Sequence, residues 1–310
     1  MTEYLVGAGG WAYFQVPKLK SLEAYSKVFN FVEVNSTFYQ IPPLAEAEKW
    51  RKMVPVNFQF SVRGHRSITH KHRLKPEKEV FESFERMKRI CKVLNAEILH
   101  LQTPPAFELS ETTIENIRQI LPSLNLGSLR LALEIRRTPS ADLPGRLVKV
   151  MQDFNIIHSV DLSKDESPAY RSDVLYTRLF GKGEHNVYQP TDGELVEIDR
   201  KATSSGSKKI VMSFHFVRMY KDAVRLKIYK QTGKFPSITN STGIASLKEV
   251  LKEDASFPAT KQQLIRSQGW KLFDMSKTER IHVADCLRKI PEETYDTLSE
   301  VAEKVESIIE

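Results

Sequence analysis

The sequence predicts an α/β protein, a TIM-type (β/α)8 barrel with a short or missing sixth helix, followed by a small all-α module. Three features predict it: short β-rich runs alternate with longer amphipathic stretches, the runs number eight, and most of them carry one polar face. The runs are Tyr4–Ala8, Phe31–Asn35, Phe58–Arg63, Ile98–Gln102, Arg130–Arg136, Ile156–Asp161, Val174–Phe180 and Ile210–His215. Helices are read at Leu22–Phe29, Ala45–Met53, Glu79–Asn95, Ile114–Leu121, Leu143–Phe154 and Lys221–Tyr229. The third is the clearest, because Val80, Phe84, Met87, Cys91 and Leu94 fall on one face at helical spacing. A barrel of this kind takes roughly 250 residues, which matches a span ending near Gly233. The sixth connection departs from the rule: Leu162–Asp173 is only twelve residues long and Pro168 interrupts it, so a full crossover helix does not fit.

The barrel is assigned to residues 1–238, a linker to 239–256 and the helical module to 257–310, where Leu264, Ile265, Val283, Leu287, Tyr295, Leu298, Val301, Val305 and Ile308 suffice for a compact core. A charged fraction of 27% and a hydrophobic fraction of 41% are those of a globular protein. No apolar run approaches the ~20 residues of a membrane span. The opening MTEYLVGAGG has an acid before its short apolar stretch and no basic leader, so it is read as a first strand and the expected location is cytoplasmic. Cys91 and Cys286 lack metal-ligand neighbours and are expected to be buried, inert thiols. The net charge is +7, yet residues 251–310 hold 9 basic against 12 acidic residues, leaving 37 against 27 in the rest. The larger part is therefore strongly basic and suits an anionic ligand or nucleic acid.

Strand parity locates the chemistry, since successive side chains point to opposite sides of a sheet. Glu33 and Asn35 share a face, as do Gln59, Ser61 and Arg63; His100 and Gln102; Glu134 and Arg136; Ser159 and Asp161; Tyr176 and Arg178; and Ser213 and His215. The apolar faces must meet the helices, so these polar faces point into the barrel. Buried charges there cost several kcal/mol each unless paired, so a mutual network is required. One reading makes Glu33, Glu134 and Asp161 internal partners of Arg63, Arg136 and Arg178. The other makes them a site, because they lie at the strand C-termini where barrel enzymes build active sites.

Glu33, Glu134 and Asp161 can supply a general base, or hold a divalent metal with His215 nearby. Arg136, Arg178 and Arg63 are planar cations suited to carboxylate or phosphate oxygens. The stretch Arg63–Lys75 holds five basic residues and three histidines with no acid, the strongest local anion signal in the chain. Within it, His70-x-His72 is a weak metal pattern. Trp11, Tyr13, Phe38 and Tyr39 follow the first and second strands and can form an aromatic platform. Gly7, Gly9 and Gly10 do not form a dinucleotide fingerprint, so no nucleotide cofactor is expected.

The pieces GAGGWAY (Gly7–Tyr13), VEVNSTFYQIP (Val32–Pro42), FQFSVRGHRSITH (Phe58–His70), LHLQTPPAF (Leu99–Phe107), LEIR (Leu133–Arg136) and YTRLFG (Tyr176–Gly181) together resemble the domain of unknown function 72 (YecE-like) family. That resemblance implies a TIM-type barrel but no substrate. It also draws attention to His70, which falls in the matching Ile-Thr-His piece and can act as acid or base at neutral pH. The chain departs from the family pattern with Arg63 in place of Lys, Phe180 in place of His, and Phe214, His215 and Phe216 in place of Phe-Asn-Asn. The tail from Phe257 resembles the small helical domain of unknown function 2795, expected to dock on the barrel or a protein partner.

Two functions are expected from these residues. The first is an enzyme, a hydrolase or lyase, on a phosphate-containing substrate. Its catalytic residues are drawn from Glu33, His70, Glu134 and Asp161, and its binding residues are Trp11, Asn35, Tyr39, Arg63, Gln102, Arg136, Tyr176, Arg178 and His215. The second is a non-catalytic nucleic-acid-binding protein that uses the Arg63–Lys75 loop.

Overall fold

The computed structural model describes residues 2–164 and 167–309. The chain packs as two compact units, one formed by the residues up to Leu179 with Asp199–His215, the other by Phe180–Ile198 with Phe216 onward. Strands and helices of the first unit alternate: β1 (Glu3–Ala8), α1 (Ser21–Ser26), β2 (Phe31–Val34), α2 (Leu44–Lys52), β3 (Gln59–Arg63), α3 (Lys78–Leu94), β4 (Ile98–Gln102), α4 (Glu111–Ser123), β5 (Arg130–Glu134), α5 (Gly145–Asp153), β6 (Ile157–His158) and β7 (Val174–Leu179). Then come α6 (Asp192–Ser204) and β8 (Lys209–Phe214). Among the described residues no helix joins β6 to β7, as the short, proline-containing connection required. Sequence reading missed α6, although Leu195, Ile198 and Ala202 recur at helical spacing and are buried.

All pairings in this unit are parallel. β2-β3-β4-β5-β6 form one sheet and β1-β8-β7 another, and a parallel bridge between Val160 and Thr177 joins them. At the other seam a side chain does the joining. The Tyr25 hydroxyl accepts the Ala8 N–H (2.8 Å) and donates to the Phe31 carbonyl (2.9 Å), tying β1 to β2 where the described strands have no ladder. The result is a TIM-barrel-like fold. Gly7 permits this approach, since a Cβ there would lie 2.1 Å from the Phe31 carbonyl oxygen. Tyr25→Phe leaves two buried backbone groups unpaired and is expected to lower stability by about 2 kcal/mol or more. Urea unfolding checks this, and an unchanged midpoint contradicts the seam.

Inside the strands, polarity changes with height. Leu5, Phe31, Ile98, Ala132, Ile157 and Val211 pack as an apolar cluster beneath Tyr176, and the polar side chains stand nearer the C-terminal ends of the strands. On the outside, α3 buries Val80, Phe84, Met87, Ile90, Cys91 and Leu94 as its spacing predicted, and ends at Asn95 in the left-handed conformation. Burial pushes the Cys91 thiol up to about 12, so it stays protonated and unreactive.

The second unit corrects two expectations. It contains α7 (Met219–Thr232), α8 (Gly243–Lys252), β9 (Ala259–Thr260), α9 (Lys261–Gln268), β10 (Leu272–Asp274), β11 (Arg280–His282), α10 (Val283–Leu287), β12 (Thr294–Tyr295) and α11 (Leu298–Ile309). The antiparallel pairs β10–β11 and β9–β12 make it mixed rather than all-α. Residues 239–256 are not a loose linker either. Leu247, Val250 and Leu251 of α8 lie in one core with Leu264, Phe273, Val283, Leu287, Tyr295, Val301 and Val305. Among the residues expected in that core, Ile265 and Leu298 are only partly buried and Ile308 is exposed. Gln189 accepts the Leu272 N–H (2.9 Å), so the segment ahead of α6 also belongs to this unit. No helix among the described residues is long and apolar enough to cross a membrane.

Candidate functional site

The inward-facing polar side chains of the first unit form one bonded network. Arg178 on β7 is its centre: Nε and Nη2 donate to the two oxygens of Glu33 (both 3.0 Å), and Nη1 donates to Glu134 (2.8 Å). Tyr176 donates to Glu33 (2.7 Å) and shares a hydrogen bond with Ser61 (2.7 Å). Glu134 also accepts from the Gln102 amide nitrogen (2.5 Å), which its position opposite Gln102 in the β4–β5 ladder makes possible. The Gln102 oxygen in turn accepts from Arg63, whose other terminal nitrogen donates to Asn35 (2.7 Å). His100 and His215 flank the cluster, with Nε2 at 3.4 Å from Glu134 and 3.5 Å from Glu33 respectively. The His215 ring occupies the space a side chain at position 9 would need, since a Cβ on Gly9 would lie 2.1 Å from it.

Charge explains why the network is stable. Burial alone would raise the Glu33 carboxyl, yet Arg178 holds it down at about 2. Burial and Arg178 oppose each other in the same way at Glu134, which ends well below the usual carboxylate range. Those two carboxylates raise Arg178 in return, against its burial. His215 is pushed down to about 3 by burial and Arg178, so it is neutral at pH 7. Two ionised carboxylates and one guanidinium leave a charge of −1, which Arg63 offsets, held at about 10 chiefly by burial.

Cations and a titratable imidazole stand at the rim. After β3 the chain makes a single π-helical turn, Ser67–Lys71, which presents His70. His70 packs edge-on against Phe38 (4.8 Å), its Nδ1 meets the Thr69 hydroxyl (2.9 Å), and burial followed by Arg63 and Arg136 lowers its pKa. Phe38 in turn lies under the Arg63 guanidinium at 3.8 Å. Arg136, just past β5, is anchored by its backbone N–H to the Thr103 hydroxyl (3.1 Å), while its guanidinium is exposed and has no partner among the described residues. Tyr39 is 64% exposed beside Phe38.

Several residues stand apart from their expected roles. Asp161 accepts from the backbone N–H and hydroxyl of Ser163 and lies 3.6 Å from Lys164, so it caps its own turn. Glu33 is fully buried with both oxygens engaged, a counter-ion beneath the mouth rather than a group that reaches a substrate. A metal held by Glu33, Glu134 and Asp161 does not fit, because the Arg178 guanidinium already bridges the two glutamates. His72 turns to Glu77 (2.8 Å), so it makes no ligand pair with His70. Trp11 packs edge-on against Trp50 (5.2 Å), and Tyr13 is exposed. The residues missing from the sequence-based site are His100, Ser61, Thr69 and Thr103. Parity pointed to the first two, while the last two fall in family-matching pieces but lie past the strand ends, where parity gives no direction.

These features define a class: a TIM-barrel-like α/β protein with a salt-bridged interior and a cationic mouth. The family described as "Protein of unknown function DUF72" matches residues 5–229, and the chain belongs to that family. It is 32% identical over 171 residues to UPF0759 protein YunF of Bacillus subtilis (strain 168), a match covering 50% of this chain and 59% of that protein. The chain thus spans less than two thirds of that relative's length. Two solved DUF72 family proteins share the fold. One, from Enterococcus faecalis V583, is 16% identical with a TM-score of 0.60, covering 74% of this chain and 98% of its own. The other, from Thermotoga maritima MSB8, is 21% identical with a TM-score of 0.61, covering 74% and 99%.

Proposed function

We propose that the mouth binds a phosphate-containing or similar anion and that the protein is an enzyme acting on it. The observation that carries this reading is Arg136, an exposed guanidinium without a described partner, beside His70 and Arg63. A buried network that merely neutralised itself has no use for a further cation at its opening. Arg136 and Arg63 hold the anion, and Asn35 and Gln102 keep the Arg63 fork oriented. His70 moves the proton, because it is neutral at pH 7 and partly accessible. Glu134 and Glu33 stay ionised and fix Arg178 below, so they shape the field rather than accept protons. The test is a panel of phosphomonoesters and phosphodiesters. Arg136→Ala is expected to raise KM about tenfold or more on any ester turned over, and turnover indifferent to Arg136 overturns the assignment.

A second reading, a nucleic-acid partner, is favoured by one observation. Arg66, Lys71, Arg73 and Lys75 on the loop after β3 are exposed and have no described ion pairs. Binding to single-stranded oligonucleotides is then expected to weaken steeply between 50 and 200 mM salt, by about 300-fold if six phosphates are contacted. Salt-independent or undetectable binding removes this reading. The tail from Phe257, for which the sequence suggested a resemblance to the domain of unknown function 2795, is proposed as a docking module for a protein partner.

A further inference from the structure

On the flank of the first unit, between β6 and β7, where no helix is present among the described residues, the chain leaves a cavity. Its volume is about 260 Å³, and its walls include His158, Tyr170 and Arg171 with Ser167, Ser204 and Ser207. That space holds on the order of nine waters. A strand face in this position ordinarily carries Val, Ile or Leu under a covering helix. Here β6 carries His158, which is 4% exposed.

The hydrogen-bond pattern identifies what the cavity offers. His158 Nδ1 accepts the Ala169 N–H (2.9 Å), so the ring hydrogen sits on Nε2, which has no partner among the described residues. Burial pushes this imidazole down to about 4, so it is a neutral donor at pH 7. The Tyr170 hydroxyl is already donated to the Ile156 carbonyl, and that of Ser207 to the Ser172 carbonyl (2.8 Å). The hydroxyls of Ser167 and Ser204 have no described bond. Arg171 is exposed and has no described partner, and its guanidinium lies against Gly206, where a Cβ would come within 1.7 Å. The carboxylate of the nearby Asp173 is paired with Arg130 (2.6 Å) and does not neutralise it. The wall therefore presents a cation, an unpartnered imidazole N–H and two hydroxyls, a donor set that calls for an acceptor with negative charge.

We propose that this cavity is a second ligand site, which takes a small oxyanion, a carboxylate or a phosphate, between Arg171 and the Nε2–H of His158. It shares no lining residue with the mouth. The test uses the full chain carrying Arg136→Ala, so that the mouth does not compete for the probe, with nitrogen-15 labelled histidine. Sodium acetate and inorganic phosphate are titrated separately at pH 7 while the His158 Nε2 resonance is followed. A saturable shift with either probe is expected, and the probe that produces it distinguishes carboxylate from phosphate. Adding Arg171→Ala, which removes no described bond, is expected to weaken that binding at least tenfold. No saturable shift with either probe, or a shift that survives Arg171→Ala unchanged, overturns the proposal.

Discussion

Arg178→Leu is expected to lower the unfolding free energy at pH 7 by about 3–5 kcal/mol, because it strands two carboxylates in the protein interior. Arg178 is 1% exposed and is the only group described as donating to both Glu33 and Glu134. The loss is expected to depend on pH with a definite sign. In the native protein the Glu33 carboxyl sits at about 2 against an ordinary 4.5, so it contributes about 3 kcal/mol that is present above pH 4.5 and lost as pH falls toward 2. Without Arg178, burial raises both carboxyls above their unfolded values, so the variant gains stability as pH falls from those raised values to about 4.5 and changes little below it. The gap between the two proteins is therefore widest at neutral pH and narrows by pH 3. Denaturant unfolding at both pH values checks it. Adding Glu33→Gln and Glu134→Gln to Arg178→Leu is expected to recover part of the loss, since the stranded charges are then gone.

His70→Gln is expected to reduce kcat about 10²- to 10⁴-fold on any ester the protein turns over, with anion affinity changed less than threefold. The imidazole's described contacts are one hydrogen bond with the neighbouring Thr69 hydroxyl and the edge of Phe38, so its loss removes proton transfer and a single ring contact, which a urea midpoint measured beside kcat separates. Under the proposed function, its lowered pKa is expected to put the acid limb of kcat/KM below pH 6.5 in the native protein. Arg136 is one of the cations that lowers it, so Arg136→Ala moves the same limb to higher pH. An acid limb that stays put in Arg136→Ala, or full kcat in His70→Gln, contradicts the assignment of His70.

Much of the fold was legible because alternation in a strand is a strict geometric rule. Parity in Glu33, Ser61, Arg63, His100, Gln102, Glu134, Tyr176 and Arg178 placed eight side chains inside, and those eight are linked by described bonds or close ion contacts. Parity cannot give height or partners. It could not show that Arg178 would neutralise both glutamates, or that Asp161, at the end of its run, would turn back onto Ser163. Turn chemistry was opaque as well, so the anchoring of Arg136 by Thr103 had no sequence signal. The helix α8 was read as a linker because its first residues, Ser241, Thr242 and Gly243, are loop formers, although Leu247, Val250 and Leu251 behind them carry a buried face.

The central claim is that a self-neutralised interior supports a mouth with cationic charge to spare. Calorimetric titration of inorganic phosphate at pH 7 into the native chain and into Arg136→Ala and Arg171→Ala addresses it most directly. A component of the native isotherm that Arg136→Ala weakens at least tenfold, that Arg171→Ala leaves in place, and that is lost without any change in the urea midpoint, is the predicted result. Native and Arg136→Ala isotherms that superimpose would contradict it.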